Sequence, residues 1–193
     1  MLTALALIHV LAAPAAPPCP ATSTHHGAAK TWAEATATAF DWPDRRLDWK
    51  ALSARFPVAE QRTLLHGATQ RVDLVRGHDQ VAVVSGRKVA DDTWCVAGTY
   101  TWYFGGRGVT VRTAQAETAS ADVVVLLDLE GRFSSPDDAF ERTLVLLRAG
   151  ADGRIARVTT PTLDLGYAER TALVRSAGGR VRLTVRRAPP TDV

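Results

Sequence analysis

Asp128 and Glu130 stand two residues apart at the end of the run Val123-Val124-Val125-Leu126-Leu127-Asp128-Leu129-Glu130. On a strand this spacing sets both carboxylates on the face of Val124 and Leu126, opposite Val123, Val125, Leu127 and Leu129. A carboxyl among apolar neighbours is harder to ionise, so Asp128 would act as a general base if its face lines a cavity. The competing reading is an arginine-paired or water-exposed strand end. His78-Asp79 would supply a base and its orienter, but a turn exposes both to water. Asp91-Asp92 and Asp137-Asp138 are adjacent carboxylates explained by a turn and by a helical cap. His66 suits the end of a helix, and His25-His26 lie in a polar leader where solvation accounts for them. There is no Gly-x-Ser-x-Gly elbow, no His-Glu-x-x-His pair and no Gly-x-x-x-x-Gly-Lys loop, so no catalytic constellation and no cofactor site is expected. Cys19 and Cys95 have no histidine at ligand spacing and make no metal site. In an oxidising compartment they would close one disulfide, worth about 4 kcal/mol for so long a loop. Two unrelated thiols, with Cys95 a small core residue, is the alternative.

The segments that must carry these residues begin with an uncharged N-terminus, since the first charged side chain is Lys30. Residues 2–13 have the length of a signal-peptide apolar region, and Ala13-Pro14-Ala15 offers a cleavage site, although no Lys or Arg precedes the apolar run. The organisation expected is a signal peptide over 1–15, a flexible leader over 16–27, one domain over 28–188 and a disordered tail over 189–193. The mature chain would then be secreted or periplasmic. No run approaches the roughly 20 apolar residues of a membrane span.

Ala28, Ala29, Trp32, Thr36, Ala39 and Phe40 recur at helical spacing, which predicts a helix over 28–40. Asp41 and Pro43 start a second helix carrying Trp49, Leu52 and Phe56, and a third is expected from Val58 to His66, closing on Gly67. From there period-two alternation predicts strands over 69–76, 80–89, 93–104, 108–118, 122–131, 142–149, 154–162, 168–176 and 180–187. Gly77-His78-Asp79, Gly105-Gly106-Arg107, Asp152-Gly153 and Ala177-Gly178-Gly179 supply turns. The fold class expected is therefore α+β, with N-terminal helices packed on a strongly curved antiparallel sheet, a cone or a half-open barrel.

Strict alternation puts Trp94, Val96, Gly98, Tyr100, Trp102 and Phe104 on one face of the third of these strands. Gly98 leaves a gap there, where the sheet bends or a side chain from elsewhere intrudes. These rings would be core beneath the helices, or, where the roof fails to close, an apolar ligand site of Trp32, Trp94, Tyr100, Trp102 and Phe104.

Phe140-Glu141-Arg142-Thr143-Leu144-Val145-Leu146-Leu147-Arg148 followed by Asp152-Gly153-Arg154-Ile155-Ala156-Arg157-Val158 resembles the last two strands of the nuclear transport factor 2-like superfamily, SnoaL-like branch included. The resemblance extends over about residues 28–160 and implies a conical fold with a cavity between sheet and helices. Its members include enzymes, ligand binders and structural modules, and no active residue of the superfamily transfers to a position here. A further hairpin after residue 160 departs from that pattern. The strand count is similar to that of the half-open barrel of periplasmic lipoprotein carriers, an analogy of fold alone.

With 193 residues, 46% hydrophobic and a net charge of +3, the composition is that of one ordinary globular domain. Of 23 basic residues only Lys30, Lys50 and Lys88 are lysine. Arginines gather near the C-terminus at Arg170, Arg175, Arg180, Arg182, Arg186 and Arg187, as a solvated edge or a contact for an acidic partner. No nucleic-acid-binding module is recognisable. The expected function is a non-catalytic binding or accessory module for a hydrophobic small molecule or lipid. The alternatives are a small cavity enzyme using Asp128 and a structural domain that meets a protein partner through its arginine-rich edge.

Overall fold

The computed structural model describes residues 19, 21, 23–26, 59–78, 80–91, 93–103, 108–132, 140–161, 170–178 and 180–187. Among them are eleven strands and no helix: β1 (Ser23–His26), β2 (Glu60–His66), β3 (Gln70–Arg76), β4 (Gln80–Ala90), β5 (Thr93–Tyr103), β6 (Val109–Ala119), β7 (Asp122–Arg132), β8 (Phe140–Ala149), β9 (Ile155–Thr159), β10 (Arg170–Ala177) and β11 (Arg180–Arg187). They form a five-stranded sheet in the order β1-β5-β4-β3-β2, a four-stranded sheet β6-β7-β8-β9 and the hairpin β10-β11. β1 runs parallel to β5, and every other pair is antiparallel.

The α+β expectation is overturned: the described residues build an all-β structure. Where a third helix was expected, from Val58 to His66, Glu60–His66 form strand β2, hydrogen-bonded to β3 from Glu60↔Arg76 to His66↔Arg71, and Val58 lies outside the described residues. Gly67 is not a helix cap but the start of a hairpin turn, its N–H donating to the Gln70 carbonyl at 2.8 Å. Leu64 and Leu65 misled the pattern, since adjacent leucines fit a helix face more naturally than strict alternation. A register shift between Thr63 and Leu65 lets both pack against the core. The helices expected over 28–40 and 41–56 lie outside the described residues, as do Trp32 and Phe104. The curved single sheet is also corrected, because two sheets face one another and neither closes into a barrel.

Alternation explains the layers. Val72 and Leu74 of β3, Val81 and Val83 of β4, and Tyr100 and Trp102 of β5 meet Val123, Val125, Leu127 and Leu129 of β7 and Val145 and Leu147 of β8 in one core. Fully burying a side chain of this size contributes about 1.5–3 kcal/mol, and this set holds the two sheets together. The odd residues of β7 therefore face the first sheet. Its even residues, Val124 and Leu126, face the other way, where Ala172 and Val174 of β10 and Val181, Leu183 and Val185 of β11 cover them. The hairpin is thus a third layer, and a Gln115 Oε1 accepting from the Val174 N–H at 3.1 Å pins it to β6.

Candidate functional site

At one end of the core, β5 departs from regular alternation. Ser85 pairs with Gly98 but Gly86 pairs with Val96, leaving Ala97 as an extra residue. A one-residue insertion reverses which face the following side chains use. Both sides of the bulge approach the second sheet. A Cβ on Gly98 would stand 2.8 Å from the Ile155 nitrogen, and one on Gly153 would stand 2.9 Å from the Ala97 Cβ. The gap expected at Gly98 is real, and Ile155 and Ser23 fill it. Gly153 sits at φ +78, the left-handed conformation that its turn between β8 and β9 requires.

The bulge also divides the expected aromatic face. Tyr100 and Trp102 belong to the inter-sheet core. Trp94, beyond the bulge, is half-buried and meets the His66 ring edge-on, with centroids 5.6 Å apart and planes at 82°. The rings at 94, 100 and 102 are therefore not one continuous platform. Tyr100 is fully buried, and its Oη makes no hydrogen bond among the described residues. Burial pushes this phenol above the ordinary tyrosine range, because a phenolate there would have no solvent to stabilise it.

Cys19 and Cys95 form a disulfide, with Cα atoms 5.5 Å apart. It fastens the segment before β1 to the buried start of β5. Ser23 continues the attachment: its hydroxyl donates to the Ala97 carbonyl at 3.3 Å and accepts from the Ile155 N–H at 2.8 Å. The parallel β1, the edge strand of the first sheet, is thereby tied to β9 of the second.

Asp128 is buried on the face of β7 that looks away from the Tyr100 core. Arg142 of β8 clamps it with two bonds, Nε to Oδ1 at 3.1 Å and Nη2 to Oδ2 at 2.9 Å. Glu130, on the same face, is held by Arg112 of β6 with Nε to Oε2 at 2.9 Å. Of the two readings of this carboxylate, the arginine-paired one describes the geometry. A general base needs a free lone pair and a substrate beside it, whereas here a two-toothed guanidinium engages both carboxylate oxygens.

A third buried carboxylate, Asp73, was not singled out by the sequence pattern. Asp73 interrupts Val72-Asp73-Leu74-Val75, is fully buried, and accepts from Thr63 Oγ1 at 2.6 Å and from Arg71 Nε at 2.6 Å. An aspartate inside an otherwise apolar strand was the available signal, and Arg71, two residues away on the same face, was its partner. His78 is exposed at the turn after β3, where its carbonyl accepts the Val109 N–H at 3.0 Å. Its neighbour Asp79 lies outside the described residues, as do Asp92, Asp137 and Asp138. Among the described residues no three His, Cys, Asp or Glu side chains stand close enough to hold a metal ion, and no helix is long and apolar enough to cross a membrane.

No protein-family model, no curated protein and no solved structure matches this chain.

Proposed function

We propose that the chain is an exported, non-catalytic binding or accessory module whose ligand is an apolar small molecule or lipid, contacted by the Tyr100 hydroxyl. The observation that carries this reading is the unpaired Tyr100 Oη, set among Val, Leu and Trp side chains of both sheets. A buried hydroxyl without a partner costs about 1–3 kcal/mol, and an apolar ligand bearing one carbonyl or carboxylate would recover it. The same side chains form the packed inter-sheet core, so a ligand there requires the two sheets to part around Tyr100. The disulfide supports export, since such bonds persist in oxidising compartments. The clamps on Asp128 and Glu130, which tie β7 to β8 and β6, and the Thr63 and Arg71 contacts of Asp73 support the non-catalytic part, because these carboxylates are already engaged.

A titration with a long-chain fatty acid, followed by tryptophan fluorescence, tests the reading. Trp102 lies two residues from Tyr100 in the same core, so binding there changes its emission. The expected result is saturable binding that weakens about tenfold in Tyr100→Phe, the loss of one neutral hydrogen bond. Absence of saturable binding to the wild-type chain, or equal affinity in Tyr100→Phe, overturns it.

A further inference from the structure

The outward face of the β10–β11 hairpin gathers positive charge with no acidic residue in either strand. Register places Arg175 directly opposite Arg182, Thr171 opposite Arg186 and Ala177 opposite Arg180, all on the face away from Ala172, Val174 and Leu183. Arg175, Arg180, Arg182 and Arg186 are exposed. Residues 170–187 contain six arginines and no Asp or Glu. Five arginines of the other strands pair with acids: Arg71 with Asp73, Arg76 with Glu60, Arg112 with Glu130, Arg142 with Asp128, and Arg148, which stands opposite Arg157, with Asp122. Among the described residues, none of the four exposed hairpin arginines has a carboxylate partner. Like charges directly opposite on neighbouring strands destabilise the pairing, so Arg175 beside Arg182 costs stability unless an anion bridges them.

We propose that this face docks on an anionic phospholipid surface. Guanidinium groups bind phosphate oxygens through paired N–H donors, and Arg175 and Arg182 stand close enough to share one headgroup. Arg180 and Arg186 lie two and four residues from Arg182 on one strand face, about 7 and 13 Å away at the strand rise. The array is therefore two-dimensional, spread over both strands. An acidic peptide added as a strand at the β11 edge would oppose only the β11 arginines and leave Arg175 uncompensated. A surface of phosphates meets both rows at once. Leu173, half-buried between Thr171 and Arg175 on that face, adds an apolar contact at the interfacial depth.

Co-sedimentation of the full chain with vesicles of equal parts phosphatidylglycerol and phosphatidylcholine tests this. Pure phosphatidylcholine vesicles account for any insertion of the apolar N-terminal segment. Each arginine near such a surface strengthens partitioning roughly fivefold, so Arg175→Gln with Arg182→Gln is expected to weaken it about 25-fold. Arg87→Gln with Arg157→Gln removes equal charge from exposed sites elsewhere and is expected to change it less than about twofold. Without vesicles, Arg175→Gln should leave folding intact and raise thermal stability slightly, since it relieves the opposed charges. The proposal falls if the wild type binds the two vesicle types equally, or if both double variants lose the same amount. It also falls if polyglutamate at equal anion concentration binds more tightly than the charged vesicles, which would assign the face to an acidic polypeptide.

Discussion

Removing Arg142 tests whether Asp128 is structural. Asp128 is 0% exposed and receives two N–H bonds from a guanidinium that is itself only 12% exposed. Arg142→Ala removes both donors and leaves a buried carboxylate without its cation, which costs about 3–5 kcal/mol. The lower end, about 3 kcal/mol, sets the comparison with the other variants. Asp128→Leu leaves the less buried cation behind and should cost about 2 kcal/mol. The double variant Asp128→Leu/Arg142→Leu removes the charge problem altogether and places two apolar residues beside Leu126 and Leu144, facing the hairpin. It should lie within about 1 kcal/mol of wild type. The singles then sum to about 5 kcal/mol against about 1 for the double, a coupling of about 4 kcal/mol. Urea denaturation with the disulfide intact measures all three, and a loss of 3 kcal/mol appears as a fall in Tm of about 6–12 °C for a chain of this size. A loss below about 1 kcal/mol for Arg142→Ala, or additive single and double variants, would refute the buried clamp.

Three other perturbations address the elements around Tyr100. Reduction of Cys19–Cys95, 76 residues apart, should lower stability by up to about 4.5 kcal/mol by loop-closure entropy and release β1 first, seen as loss of amide protection at Ser23–His26. Protection unchanged on reduction would show that the disulfide does not anchor β1. Gly98→Ala drives a methyl into the Ile155 nitrogen and the Ser23 hydroxyl and should cost about 1–3 kcal/mol, whereas a neutral outcome would deny the close approach of β1, β5 and β9. The Tyr100 phenol is harder to ionise folded than unfolded, so the unfolded chain binds fewer protons above pH about 10 and stability falls there by about 1.4 kcal/mol per pH unit. Tyr100→Phe should flatten that alkaline slope, and an unchanged slope would place the titration elsewhere.

The strands after Gly67 were legible because their signals were local. Alternation marked Val81-Ala82-Val83-Val84 and the β7 run, and Asp152-Gly153 and Gly178 marked hairpin turns that the backbone confirms with positive φ at Gly153 and Gly178. β2 was not legible, since Leu64-Leu65 satisfies a helical face and only pairing with β3, a tertiary interaction, selects the strand. β1 was hidden in a polar stretch whose order comes from the disulfide and from β5. The division of the aromatic face depended on one extra residue at Ala97, and alternation read from sequence cannot see a bulge that its partner strand creates. Asp128 stands out in the β7 run, but its role depends on Arg142, fourteen residues away and brought alongside by the β7–β8 register. The layering of two sheets and a hairpin required knowing which face each strand turned to which neighbour.

Native mass spectrometry of the protein purified from its own host tests the binding claim most directly. The account predicts a retained apolar molecule on the wild-type chain and a smaller bound fraction on Tyr100→Phe prepared in the same way. Bare chain mass for both proteins would contradict it.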